Sequence, residues 1–414
     1  MPPAVSVYTE VGDALKRVKG RLRGARKVES IQTLHSYGRV LSQDIIAPVD
    51  VPQASTSHMD GFAVRSKDLR GASATTPAVL RIVAASGPGE RASHAVGPGE
   101  AVQVATGALL PDNADTVVPV ESAGVRGNKL HAVEVQEPGR HVYEAGRDIH
   151  RGEVVLSKGH TIRAQDVGIL ISLGFLRVLV WEKPRVAVVA TGSELTPATN
   201  AKKGKILESH SPVFLGLAKA LGCDVQDFGV VGDNSEKLAE VLRKALSSSD
   251  FVLTLGGTSA GKRDLVVSTV SNLHPDVLVH GLKLDRGRVT GLAAVKGKPI
   301  LMLPGPIQAA SNAFLIVGIP LIEELSGSGG TGLVVPCVVG AAWEARRKFY
   351  DFQKVVYVRL RPGAQPVAEP ISGETESMKL LADADGFFVV PENTMRLDAG
   401  DRVEVRLIPG FSFA

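Results

Sequence analysis

Residues 251–264 read FVLTLGGTSAGKRD, an apolar run followed at once by Gly256, Gly257, Thr258, Ser259 and Gly261, and then by Asp264. Glycines let a backbone approach an anion closely. Consecutive N–H groups, with the N-terminus of a following helix, bind phosphate oxygens. In an open α/β sheet, ligands sit in the crevice beyond the carboxyl ends of the strands. Asp264 is spaced to bind Mg2+ or a ligand hydroxyl, or simply to cap a helix. No Gly-Lys-Ser/Thr follows at Walker spacing. Residues 190–195, ATGSEL, repeat the logic with Gly192 as the turn and Glu194 as the acid. Residues 304–310, PGPIQAA, repeat it again at Pro304 and Gly305, and VVGDN adds Asp233 near a fourth strand end. Several glycine-marked strand ends predicted to meet in one crevice point to a phosphorylated ligand.

A second set lies earlier in the chain. SHMDGFAVR carries Asp60 before a glycine, VATGALLPDNADTVVPVE carries Thr106, Asp115 and Glu121, and GRDI carries Asp148. Each alone is explained as a loop-capping residue.

These residues need elements to hold them. At about 100–200 residues per domain, 414 residues suggest two to four domains. A chain with 44% hydrophobic and 22% charged residues is ordinary for a globular protein. Residues 1–50 begin with an amphipathic helix in which Val11, Ala14, Leu15, Val18 and Leu22 recur beneath the basic run 16–27. That run reads as a solvated helix face rather than a nucleic-acid arm, in keeping with a net charge of only +4. A second helix is expected over 31–41. Residues 51–140 are short apolar runs between turn dipeptides, a β-rich module. Residues 141–183 hold a strand and a helix over 164–173 and return to the N-terminal segment, leaving 51–140 as an insertion. Residues 184–327 alternate near-continuous apolar strands with amphipathic helices, predicting a doubly wound parallel α/β domain with Ser235 as one helix cap. Residues 328–414 predict a small β domain or barrel-like sandwich. No stretch reads as a membrane helix, and the polar start with two distant cysteines predicts a cytoplasmic protein with reduced thiols.

Taken in order, SHMDGFAV, TGALLPDNADTVVPVE, GRDI, TGSEL, GGTSAGKRD and LPG resemble the ordered motifs of the molybdopterin molybdenumtransferases, the molybdenum insertases. KILESHSP is similar to a further family segment, with Glu208 and His210 where Asp and Asn are usual. The resemblance spans nearly the whole chain. It implies a four-part subunit, a homodimer, and a reaction in which adenylylated molybdopterin and molybdate (or tungstate) give molybdenum cofactor and AMP. It implies Mg2+ held by Asp264, Asp233 and Glu194. Asp60, Thr106 and Asp148 would complete the cleft from the partner subunit. It also implies handover from the molybdopterin adenylyltransferase, with no role for nucleic acid or membrane.

The resemblance departs at two places. Residues 282–291, LKLDRGRVTG, carry Asp285 where the family has a lysine, with Lys283 and Arg288 keeping positive charge nearby. LPGPIQAA lacks the usual Asn and Ser. In the C-terminal part, Ser377 is predicted to face the oxyanion or cap a helix, and Lys354 takes a position where arginine is common. An inverted charge beside anionic ligands, together with the altered Asn position, would favour the alternative of a pterin-binding scaffold without turnover.

Overall fold

The structure is a computed structural model describing residues 7–22, 26–257, 265–330 and 332–410. The helix Val11–Lys19 buries Val11, Ala14 and Val18 against the core of the central sheet and leaves Lys16 and Arg17 in solvent. The expected helix over 31–41 does not form. Val28–Gln32 is instead a strand paired antiparallel with Arg177–Trp181, followed by a short turn at Thr33–His35. Cross-strand pairing with a distant segment outweighs the weak local pattern. Ile45–Ile46 likewise pairs with Val154–Leu156. These strands and the helix Ala164–Ser172 enclose Leu41, Ile45, Leu156, Ile162, Leu170, Val178 and Val180.

Between the two halves of that unit lies a six-stranded sheet. Its spatial order is Thr116–Pro119, Gly61–Val64, Glu100–Val104, Ala78–Ser86, Lys129–Ala132 and Ala123–Arg126. Only Ala78–Ser86 and Glu100–Val104 run parallel.

The central sheet has the order Asp224–Val231, Arg185–Thr191, Phe251–Leu255, Lys298–Leu303, Gly291–Val295 and Val277–His280. The first four strands are parallel. The last two are antiparallel, which the expectation of a parallel sheet did not include. The reason is connection length: residues 281–290 and 296–297 are too short for crossover helices. Phe251–Leu255 is buried throughout, because Phe251, Leu253 and Leu255 pack on one face and Val252 on the other. Ser211–Ala220 covers the first face; Ser235–Ser248 and Leu265–Ser271 cover the second. The cap of Ser235–Ser248 is Asn234, one residue before the expected Ser235, with Oδ1 accepting from Lys237 N–H at 2.8 Å.

Ile307–Ser326 is a continuous helical run of 20 residues with a π turn at Phe314–Gly318. It is long and apolar enough by composition to cross a membrane, contrary to the reading of the sequence, yet its side chains fill the first face of the sheet. Beyond it, Val334–Val339, Val367–Pro370, Lys354–Arg361, Gly386–Val390 and Arg402–Leu407 close into a barrel. Alternation along Lys354–Arg361 sends Val356 and Val358 into the barrel and Tyr357 into the central core. Both cysteines are free and buried.

Candidate active site

A cleft of about 560 Å³ opens at the carboxyl ends of Arg185–Thr191, Phe251–Leu255 and Lys298–Leu303. Thr191, Glu194, Gly256, Gly257, Pro304 and Gly305 line it, so three of the glycine-marked strand ends do converge. Gly256 and Gly257 have φ of +83° and +69°. A Cβ on Gly257 would stand 2.6 Å from Val266 Cγ2 and 2.9 Å from Thr191 Oγ1. Only glycine fits there. The Thr191 hydroxyl donates to the Leu255 carbonyl at 3.0 Å, locking neighbouring strand ends together. Gly192 N–H donates to the Val231 carbonyl at 3.0 Å, and Asp233 N–H donates to Ser193 Oγ at 2.8 Å. Asp233 is thus tied to the turn that bears Glu194, although only Glu194 lines the cleft. Thr258, Ser259, Gly261 and Asp264 lie outside the described residues.

The opposite wall is cationic: Arg286, Arg288 and Arg346 all line it. Arg286 has φ +49° and donates through Nη1 to the Gly373 carbonyl at 2.6 Å and to Gln308 Oε1. Asn312 Nδ2 donates to the Arg286 carbonyl at 3.0 Å and the Asp285 carbonyl at 3.3 Å. The buried Tyr357 hydroxyl donates to Asn312 Oδ1 at 2.9 Å, so the barrel braces this loop through the helix Ile307–Ala313. Asp285 does not confront the ligand as a bare negative charge, because Arg346 from the barrel forms an ion pair with it. A smaller chamber of about 170 Å³ adjoins the cleft behind Arg286 and Arg346. Lys354 lines it and is 3% exposed, not a surface lysine. Burial pushes its pKa down, with Asp285 opposing, and Nζ donates to the carbonyls of Tyr350 at 2.7 Å and Thr394 at 3.2 Å.

Other predicted residues stand elsewhere. Lys283 is outside the cleft lining, held by Glu10 at 2.7 Å with Asp351 at 3.8 Å. Ser377 caps Met378–Asp383, accepting from Leu380 N–H at 3.2 Å, and the residue of its loop that reaches the cleft is Thr375. Asp60 accepts from Thr106 N–H at 2.7 Å and from its hydroxyl at 2.9 Å. These two bonds, backbone first, hold the Asp60 carboxyl below the usual range. Asp148 N–H donates to the Val51 carbonyl at 3.0 Å. None of Asp60, Thr106 and Asp148 lines the cleft of its own chain.

Sequence reasoning assigned no site role to Arg286, Arg346 or Thr375. Nothing in the spacing of ARRK or ETES brings Arg346 and Thr375 to residue 256; the docking of the C-terminal part does, whereas Arg286 is placed by the loop between Val277–His280 and Gly291–Val295. Glu208 Oε1 accepts from the N–H groups of His210 and Ser211, both at 2.8 Å, and so caps the helix Ser211–Ala220. His210 lines the cleft; burial lowers its pKa, opposed by the Glu208 charge and a hydrogen bond with the Gly305 backbone. Among the described residues, no group of three His, Cys, Asp or Glu side chains is arranged to hold a metal ion.

Comparisons with known proteins match three stretches of the chain. Residues 9–174 match the MoeA N-terminal region (domain I and II), residues 187–324 the probable molybdopterin binding domain, and residues 337–408 the MoeA C-terminal region (domain IV). A molybdopterin molybdenumtransferase of Staphylococcus epidermidis is 30% identical over 407 residues, covering 97% of this chain and 96% of that one. The Staphylococcus aureus molybdopterin molybdenumtransferase is 30% identical over 401 residues, 96% of this chain and 95% of that one. A crystal structure titled as the molybdopterin biosynthesis MoeA protein from Pyrococcus horikoshii superposes with a TM-score of 0.85 at 29% identity, over 98% of this chain and 100% of that one. Agreement of fold, motif order and relatives over nearly the full length means that this chain belongs to the MoeA family of molybdopterin molybdenumtransferases.

Proposed function

We propose that this chain, in molybdenum cofactor biosynthesis, transfers molybdenum from molybdate (or tungstate) to adenylylated molybdopterin with release of AMP. The observation that carries the reading is the pairing of glycine turns with three arginines across one cleft. The Gly256 N–H donates to the Leu303 carbonyl at 3.1 Å and fixes the turn, which leaves the backbone N–H of Gly257 to suit a phosphate oxygen. Arg286, Arg288 and Arg346 offset the charge of a pyrophosphate linkage and of an approaching oxyanion, and as planar donors they orient both. His210, bonded to the Gly305 backbone, fixes the Pro304–Gly305 turn against the helix that Glu208 caps.

Glu194, Asp233 and Asp264 are the residues that would hold Mg2+. Their carboxylate oxygens are the donors that cation takes, and the tie between Asp233 and Ser193 supports a shared site. When bound, the ion would offset phosphate charge and activate water. We further propose a four-part subunit, 1–50 with 141–183, 51–140, 184–327 and 328–414. In a homodimer, Asp60, Thr106 and Asp148 of one subunit would face the cleft of the other; their absence from their own cleft supports that arrangement. Substrate would arrive by handover from the adenylyltransferase, in the cytoplasm. Two free, buried cysteines suit a reducing compartment, and burial pushes the Cys223 thiol up to about 12.

The scaffold alternative rests on Asp285 and on the altered LPGPIQAA loop, and the ion pair with Arg346 weakens the first of these. The test is to mix protein, adenylylated molybdopterin, molybdate and Mg2+ and measure AMP. Release that falls at least about a hundredfold in Glu194→Gln and Asp264→Ala is expected if they hold the cation. No release from the unaltered protein, with pterin binding retained, would sink the transferase reading.

A further inference from the structure

Phe349 lines neither the cleft nor the adjoining chamber, yet three cations gather on its ring. The Arg288 guanidinium carbon is 4.9 Å from the ring centroid, that of Arg346 is 5.4 Å away, and Lys348 Nζ is 5.7 Å away. Arg288 comes from the loop after Val277–His280, and Arg346 from the connection between the barrel strands Val334–Val339 and Lys354–Arg361. Both line the cleft. Phe349 ends the turn Arg347–Phe349 and is itself fixed by edge-on packing against Phe352 at 5.3 Å, which packs against Tyr8 at 5.0 Å. Arg288 has no ion-pair partner among the described residues, while Arg346 is already committed to Asp285.

Two guanidiniums brought to one ring repel each other, and the negative face of the ring offsets part of that cost. An exposed arginine with no ion-pair partner among the described residues would otherwise sample many rotamers, and binding would have to order it. We infer that Phe349 is a positioning residue of the cleft, a ring that holds Arg288 and Arg346 from two separate parts of the fold ready to receive one doubly charged phosphate or pyrophosphate group between them. The inference rests on the proposed phosphorylated substrate but concerns only how its charge is received. Phe349 touches no ligand; it acts through the two arginines.

The experiment measures binding of inorganic pyrophosphate by calorimetry to the full chain, beside KM and kcat for AMP release. Phe349→Leu keeps apolar packing on Phe352 and removes the quadrupole; Phe349→Trp restores a better one. Pyrophosphate affinity about tenfold weaker in Phe349→Leu, restored in Phe349→Trp, is expected, with KM raised and kcat little changed. In an Arg288→Gln background the leucine change should have a much smaller effect, since the ring then has one guanidinium fewer to hold. Equal pyrophosphate affinity in the leucine variant at unchanged Tm, no restoration by tryptophan, or no measurable binding by the unaltered protein would each overturn the inference. Affinity that depends on Phe349 in a protein releasing no AMP would overturn the proposed reaction and leave the positioning role standing.

Discussion

Asp285 illustrates how an inverted charge is absorbed by a neighbour that local sequence cannot name. Arg346 cancels it from the barrel, and Arg286 and Arg288 supply the cationic wall. Residue types with strong backbone demands were readable in the sequence: Gly192, Gly256 and Gly257, all at positive φ, stand at the cleft or its first turn. Residues defined only by long-range partners were not, which is why Lys283 belongs to Glu10 and Ser377 to a helix cap. Asp166 makes the same point away from the site. It is 1% exposed and accepts from His160 Nε2 at 2.6 Å, from Arg163 N–H at 2.8 Å and from the Arg163 guanidinium at 2.9 Å. Burial works to raise its pKa, but these bonds outweigh it and hold the carboxyl well below the usual range. A depressed folded value means the stabilisation is complete above the unfolded carboxylate value of about 4 and is lost as pH falls through the folded one. Asp166→Ala should cost about 2 kcal/mol near neutral pH by denaturant unfolding. The gap between variant and parent should narrow below about pH 4; a gap as wide at pH 3 as at pH 6 would contradict this account.

Strands of the central sheet were readable because continuous apolar runs ending in glycine encode them locally. The antiparallel edge was not, since it depends on the shortness of residues 281–290 and 296–297. Nor was the strand Val28–Gln32, whose partner is remote. The run Ile307–Ser326 is apolar for a reason internal to the fold: its start lines the cleft through Ala309, beside the capping Pro306, and the rest seals the sheet. The turn after Phe251–Leu255 joins element to site most tightly. Gly257→Ala introduces a Cβ at left-handed φ, 2.6 Å from Val266. Thermal unfolding should register a loss of about 1–3 kcal/mol, and AMP release should fall with it. A variant with parental Tm and turnover would show that the turn tolerates a side chain.

At the scale of the whole molecule, the cleft is assembled from the central sheet and the barrel, and the proposed dimer adds the module bearing Asp60. Such sharing predicts complementation. Asp60→Ala and Glu194→Gln homodimers should each be inactive. After denaturation and co-refolding of equal amounts, random pairing leaves about a quarter of the sites intact, so AMP release should recover to about a quarter of the parental rate. No recovery in a mixture proven to contain heterodimers would mean that each subunit works alone. The pairing of Val28–Gln32 with Arg177–Trp181 has a consequence in time. As the chain leaves the ribosome, its first strand waits for a partner about 150 residues later, whereas the intervening six-stranded sheet closes on itself. The inserted module is therefore able to fold during synthesis before the strand Val28–Gln32, although made earlier, finds its place.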